Sequence, residues 1–247
     1  MFDFSLLISS LPRLAQSLPV TLELFAAVVA VGVILGVPVG LVGQSPSRLV
    51  RLMITFYIGA FRGTPALVQL FFVYYGSEQF DFVRHSFLWP ALRDPFYCAV
   101  IALGLNSAAY TARITIGALS AIPTGIVEGA LALGLPRRAI LMRIKAPLAV
   151  RIALPAYANE TILNLKATSL ASTVTIMDLT GTSRLLVSET YAPYEIFVAA
   201  GVMYLAMTSI VARTFHILEK FVERRTGRVT AGGPAASKRA ERIEDRK

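Results

Sequence analysis

Two ionisable residues, Glu160 and Lys166, fall within a stretch that is otherwise largely apolar. A charge is costly to hold in hydrocarbon, so such groups normally face an aqueous pathway or another polar group, and both are candidates to line a route through a membrane. Glu160 has a second reading, in which it satisfies a backbone group or Arg151 near the cytoplasmic end of its helix. Asn106, Tyr110, Thr111, Thr168 and Ser169 add neutral donors and acceptors, which suit either the headgroup of a polar solute or hydrogen bonds between helices. Arg62, with Thr64 beside it, could meet a carboxylate on such a solute, or could anchor an interrupted helix at the cytoplasmic interface.

Other chemistries lack their parts. The two histidines, His85 and His216, fall in different connections and offer no pair for a metal or for activating a nucleophile, so no catalytic residue and no metal are expected. No Gly-x-x-x-x-Gly-Lys-Ser/Thr loop occurs, so the chain cannot cradle ATP by itself, and no cofactor is expected. Cys98 stands alone in an apolar run, where it reads as core packing. The net charge of +9 raises the question of nucleic acid, but no groove-reading motif accompanies it.

The elements that must position these residues are membrane helices. Of 247 residues, 55% are hydrophobic and only 16% charged, and the mean hydropathy of +0.62 is too apolar for an ordinary soluble domain. A spanning helix needs roughly 20 mostly apolar residues. Five spans are expected, at about 18–43, 53–77, 95–117, 152–176 and 195–217. The second is interrupted by Phe61-Arg62-Gly63-Thr64-Pro65, where Pro65 has no amide donor and biases Thr64 away from helical angles, so a kink or re-entrant break is expected. Gly32, Gly36 and Gly40 recur at every fourth position of the first span, which predicts a close packing seam with another helix, in this chain or in a partner. No period of 20 to 50 residues repeats, which excludes a solenoid.

Lys and Arg set the orientation. Arg48, Arg51 and Arg62 flank the first connection, Arg113, Arg137, Arg138, Arg143, Lys145 and Arg151 the third, and Arg213, Lys220, Arg224, Arg225 and Arg228 follow the last span. These face the cytoplasm by the positive-inside rule, which leaves the amino terminus outside and the carboxyl terminus inside. No charged leader precedes a short apolar run, so the amino terminus is expected to be retained. The transmembrane domain is thus 1–225, and 226–247 reads as a disordered basic tail whose Lys238, Arg239 and Arg242 could touch anionic lipid.

The largest polar element is the cytoplasmic loop near 120–150. Ile126 to Leu133 reads as a short helix with Glu128 in its first turn, Gly134 suits its carboxyl-terminal cap, and Pro136 suits the start of a second surface helix. Ile140, Leu141 and Ile144 share a face of that second helix among basic residues, the pattern of an interfacial helix.

The wording of this loop carries a resemblance. Glu128-Gly129-Ala130-Leu131-Ala132-Leu133-Gly134, with Ile144-Lys145-Ala146-Pro147 and Ile152-Ala153-Leu154-Pro155, resembles the cytoplasmic "EAA" loop of ABC importer permeases. The pattern departs at Gly129, where alanine is usual, a change costing the helix roughly 0.5–1 kcal/mol. Phe61 to Pro65, Val68-Gln69-Leu70-Phe71, Tyr74-Tyr75-Gly76, Asn106 to Ala112, Asn159-Glu160 and Lys166 to Leu170 are similar to the polar amino-acid branch. Arg84 to Pro90 and Ser188 to Pro193 are most similar to its histidine and octopine or nopaline permeases. Arg113 departs again, because many members carry an acid there. It either marks the membrane boundary or disfavours a cationic substrate at that point.

The resemblance implies an all-α polytopic protein of the type I ABC importer permease fold, in a bacterial inner membrane. It further implies two ATP-binding subunits, a second permease subunit that is a related but different chain, and a periplasmic substrate-binding protein. Glu128, Gly129, Ala130 and Gly134 would couple to the ATPase, and the route for a histidine, basic amino acid or opine would be worked by alternating access. An ion-coupled amino-acid carrier is the alternative, although such carriers usually show internal repeats that this chain lacks. A purely structural membrane subunit would tolerate changes at Glu160 and in the loop.

Overall fold

The computed structural model describes residues 3–87 and 89–226, most of which are helical, with no strand among them. The chain opens with α1 (Phe4–Gln16), whose first amides are capped by the Asp3 carboxylate, accepting from Ser5 and Leu6. Helix α2 (Leu18–Val42) follows at once, started by a proline in its first turn. Helices α3 (Arg48–Gly63) and α4 (Ala66–Ser77) come next, then the short α5 (Asp81–Arg84) and α6 (Trp89–Leu92). The long α7 (Pro95–Ser120) is capped by Asp94.

Helices α8 (Thr124–Ala132) and α9 (Arg137–Ile140) form the loop between spans. A π-helical turn (Leu141–Lys145) leads directly into α10 (Ala146–Ala167), which ends in a 3-10 segment (Thr168–Val174). Helices α11 (Leu179–Thr190) and α12 (Pro193–Thr226) complete the fold.

Three helices, α2, α7 and α12, are long and apolar enough to cross a membrane. Helices α3 and α4 are long and apolar enough only together, bent by 99° at Pro65. The missing amide of Pro65 thus produces the expected break as a sharp elbow. Helix α10 has the 22 residues a span needs, but Arg151, Asn159, Glu160, Asn164 and Lys166 make it more polar than the other three long helices. It begins earlier than the expected 152 and turns 3-10 before the expected 176.

The glycine seam closes within the chain. Gly32, Gly36 and Gly40 face Ser107, Thr111 and Thr115 of α7. A Cβ on Gly36 would stand 2.6 Å from both the Ala108 carbonyl and the Thr111 Cβ, so only glycine lets the two backbones approach this closely. Around it, Leu24, Val28, Leu70, Ala99, Leu103 and Val174 form one buried cluster. Leu14, Leu165, Leu179, Leu186 and Ile196 form a second, which seats α1 and α11 on α12.

Several expectations need correction. The second surface helix is not free-standing, because the π turn makes it the foot of α10. Glu128 lies midway along α8 rather than in its first turn, since the helix starts at Thr124. The connection between α10 and α12 is mostly α11, and the amino-terminal stretch is α1; neither helix was expected. Gly134 does end the α8 turn as anticipated, at φ +73°. The tail lies outside the described residues from 227 onward, with Lys238, Arg239 and Arg242; so does Leu88.

Candidate functional site

The elbow at Pro65 exposes carbonyls that no helix turn can satisfy, and two amide side chains take them. Gln69 donates to the Phe61 carbonyl (2.8 Å), the Thr64 carbonyl (3.1 Å) and Thr64 Oγ1 (2.7 Å). Asn106 of α7 donates to the same Phe61 carbonyl and to Gln69 Oε1, each at 3.0 Å. Thr64 Oγ1 itself donates to Ala60 (2.8 Å), and Tyr57 ties α3 to α7 through the Leu105 carbonyl (2.7 Å). Irregular backbone at membrane depth is tolerated only when it is satisfied in this way. Asn106 and Thr64 therefore hold the elbow's shape.

That shape places Arg62 over α7. Its guanidinium carbon lies 4.9 Å from the centre of the Tyr110 ring, a cation-π contact that orients the charge while leaving it exposed. Across from it, Glu160 is 6% exposed, hydrogen-bonded to Asn164 and within reach of the Arg62 charge. Asn164 in turn donates to Ser107 Oγ at 2.8 Å. A buried carboxyl group on α10, a cation at the end of α3 and an aromatic face on α7 thus lie near one another. Opposite charges held by separate helices can receive a zwitterion, the carboxylate towards Arg62 and the ammonium towards Glu160. Glu160 sits in the second half of α10, well away from the foot of that helix.

The other expected residues distribute differently. Lys166 is exposed, and Ser169 bonds back to its carbonyl at 2.7 Å. Thr168 is buried against Leu165 and Tyr204. Thr111 belongs to the glycine seam, one residue round α7 from Tyr110, and does not join the Arg62 cluster. Arg113 is exposed. In the loop, Ala130 is buried while Leu131 and Leu133 are exposed, and Glu128 lines a cavity with Arg51 and Lys145.

Sequence reasoning missed Gln69, Asn164 and Asp178. Asn164 lies one helical turn beyond Glu160, a spacing that could have revealed it. Asp178 is fully buried, accepting from the Gly181 amide (2.8 Å) and the Tyr204 hydroxyl (3.3 Å). No metal-holding group of His, Cys, Asp and Glu occurs among the described residues.

The pattern of the family described as "binding-protein-dependent transport system inner membrane component" matches residues 11–225. The octopine transport system permease protein of Rhizobium radiobacter is 47% identical over 231 residues, 93% of this chain and 94% of that protein. The nopaline transport system permease protein of Agrobacterium fabrum is 42% identical over 88% of this chain and 90% of its own length. The arginine ABC transporter permease protein of Haemophilus influenzae is 43% identical, covering 71% and 77%. Among solved structures, an amino acid ABC transporter crystallised with histidines is 30% identical with a TM-score of 0.79, covering 89% of this chain and 99% of that one. The inward-facing MetNI methionine transporter, at 18% identity and TM-score 0.68, shares the fold, covering 82% of this chain and 92% of its own. These likenesses support an ATP-driven importer over an ion-coupled carrier, with ATP hydrolysis left to a separate subunit. The chain belongs to the binding-protein-dependent inner membrane component family, and is an all-helical, multi-pass permease subunit of an ABC importer with the type I permease fold.

Proposed function

We propose that this subunit carries a polar amino acid or amino-acid derivative, a histidine, basic amino acid or opine, past the elbow at Pro65 by alternating access. The observation that carries the reading is the facing pair of Arg62 and Glu160, with Tyr110 and Asn164 beside them. Each end of an α-amino acid then meets an opposite charge. The named solutes of the relatives, octopine, nopaline and arginine, all carry that zwitterionic unit together with a guanidinium.

The remaining assignments are expectations built on the same reading. The chain makes five spans in a bacterial inner membrane, counting α10 and the bent α3–α4 pair, with its amino terminus outside and its carboxyl terminus inside. Residues 1–225 form the permease domain, and 226–247 a cytoplasmic tail. Two ATP-binding subunits engage the loop near 120–150 through Glu128, Gly129, Ala130 and Gly134. A second, related but different permease chain completes the membrane core, and a periplasmic binding protein delivers the solute.

The test is ATP-dependent uptake of labelled arginine, histidine and octopine in proteoliposomes holding the whole complex and its binding protein. Glu160→Gln should raise the KM or slow uptake at unchanged protein abundance. Wild-type kinetics for every solute in that variant would overturn the site. Glu128→Lys should leave insertion intact and separate ATP hydrolysis from uptake, and coupled transport in that variant would remove the docking role of the loop.

A further inference from the structure

The glycines of the α2–α7 seam are not equivalent. A Cβ on Gly36 would meet backbone, the Ala108 carbonyl at 2.6 Å, which α7 cannot move aside. A Cβ on Gly32 would meet a side-chain atom first, Ser107 Oγ at 2.3 Å, with Ser107 Cβ next at 3.0 Å. A hydroxyl can swing to another staggered position, and a carbonyl within a helix cannot. Gly36 therefore holds two backbones together, whereas Gly32 leaves one hydroxyl where it stands.

That hydroxyl has a partner across the next helix contact. Ser107 is fully buried, and its Oγ accepts from Asn164 Nδ2 of α10 at 2.8 Å. The amide nitrogen carries two hydrogens. One goes to Ser107, which leaves the other for the Glu160 carboxyl group one helical turn back, to which Asn164 is hydrogen-bonded. Gly32, Ser107, Asn164 and Glu160 thus form one line of contacts through α2, α7 and α10. Asn164 is itself 6% exposed, so no solvent replaces the Ser107 bond if it is lost.

We propose that Ser107 is a positioning residue for solute recognition, acting through Asn164 on Glu160, and that Gly32 serves to keep the Ser107 hydroxyl in place. The proposal rests on the reading of Glu160 as the group that meets the solute's ammonium. Ser107 fixes the plane of the Asn164 amide, and the amide fixes the direction of the carboxyl group. Without the hydroxyl, the amide turns among its rotamers and takes Glu160 with it, so the solute is held less well. Plain interhelical glue is the rival role for the same bond, and it would act on assembly whether or not Glu160 is present.

The experiment is a double-mutant cycle on ATP-dependent uptake of labelled arginine, in proteoliposomes holding the complete complex and its binding protein. Ser107→Ala should raise the KM about three- to tenfold, the worth of one neutral hydrogen bond, with kcat little changed. In the Glu160→Gln background the same change should move the KM less than about twofold, because the charge it positions is gone. Gly32→Ala displaces the hydroxyl from the α2 side and should reproduce the KM of Ser107→Ala, which keeps the test decisive where Ser107→Ala fails to assemble. Gly36→Ala should instead reduce the amount of assembled complex and leave the KM of the remainder unchanged. A wild-type KM in Ser107→Ala and Gly32→Ala, beside an impaired Glu160→Gln, overturns this inference and spares the site. An equal rise in both backgrounds overturns it too, since the hydroxyl then acts without Glu160. Wild-type kinetics in Glu160→Gln overturn the site, and this inference with it.

Discussion

Glu160 and Asp178 are both buried carboxylates, 6% and 0% exposed, yet their surroundings are of opposite kinds. Asp178 is gripped by fixed donors. It caps α11 through the Gly181 amide and takes the Tyr204 hydroxyl from α12, while the neighbouring Leu179 amide donates to Thr21 Oγ1 on α2 at 2.9 Å. Thr180 and Tyr204 close the ring at 3.0 Å. Gly181 leaves no room for change, because a Cβ there would collide with the Ile176 carbonyl. Glu160, by contrast, is held by side chains alone, Asn164 on its own helix and the exposed Arg62 across the gap. Backbone donors lock a carboxylate in place, whereas side chains can turn aside for a solute. The kind of partner, and not burial, separates the structural acid from the one proposed to meet a solute.

That contrast breaks if the two acids respond alike to substitution. Asp178→Ala should have the largest effect, costing about 3 kcal/mol by stranding the buried Gly181 amide and taking one partner from the Tyr204 hydroxyl. It is read as lost assembled protein and an earlier thermal unfolding, while the molecules that do assemble transport normally. Glu160→Gln should do the reverse, lowering kcat/KM for uptake about ten- to a hundredfold, the worth of a hydrogen bond to a charge, at unchanged abundance. Tyr204→Phe sharpens the case, since it removes one hydroxyl from the Asp178 ring and should cost about 1 kcal/mol of stability with no change in KM. If Tyr204→Phe shifts KM, the ring belongs to the pathway.

An exposed third carboxylate sets the floor. Glu189 of α11 receives a two-pronged contact from Arg13 of α1 at 2.6 and 3.1 Å. The Arg13 guanidinium holds the Glu189 carboxyl below its ordinary range. A lowered folded-state value means that the pair contributes fully above the ordinary carboxylate range, and that the contribution fades as pH falls through the lowered value. Thermal midpoints of wild type and Glu189→Gln should therefore differ slightly at neutral pH and converge in acid. A gap that persists or widens in acid would contradict this.

How much of this was readable beforehand depends on how local the cause is. The Pro65 elbow, the glycine seam and the Gly134 turn each follow from residues adjacent in sequence or four apart, and each stands where the pattern put it. Glu160 showed itself as an acid in an apolar run. Asp178 did not, because its partner Tyr204, like the Thr21 that accepts from the adjacent Leu179 amide, lies far off in the chain and its own neighbours read as a loop. Helices α1 and α11 were missed for the same reason: their faces become a core only when α12 and Leu165 are brought beside them. Helix α10 starts before the expected 152 because it continues from α9 through the π turn, a continuity that no periodicity around Pro147 announces.

The π turn between α9 and α10 has one mechanical consequence. The backbone stays helical from Arg137 to Ala167, with no coil in between to absorb a tilt. From Arg137 to Glu160 the rise is about 35 Å, so a rotation of about 5° at the base displaces the carboxylate by about 3 Å, about the length of a hydrogen bond donated to it. A nudge at the solvent boundary is thus enough to separate Glu160 from whatever it was holding, the stiffness of one rod serving in place of any relay through the bundle.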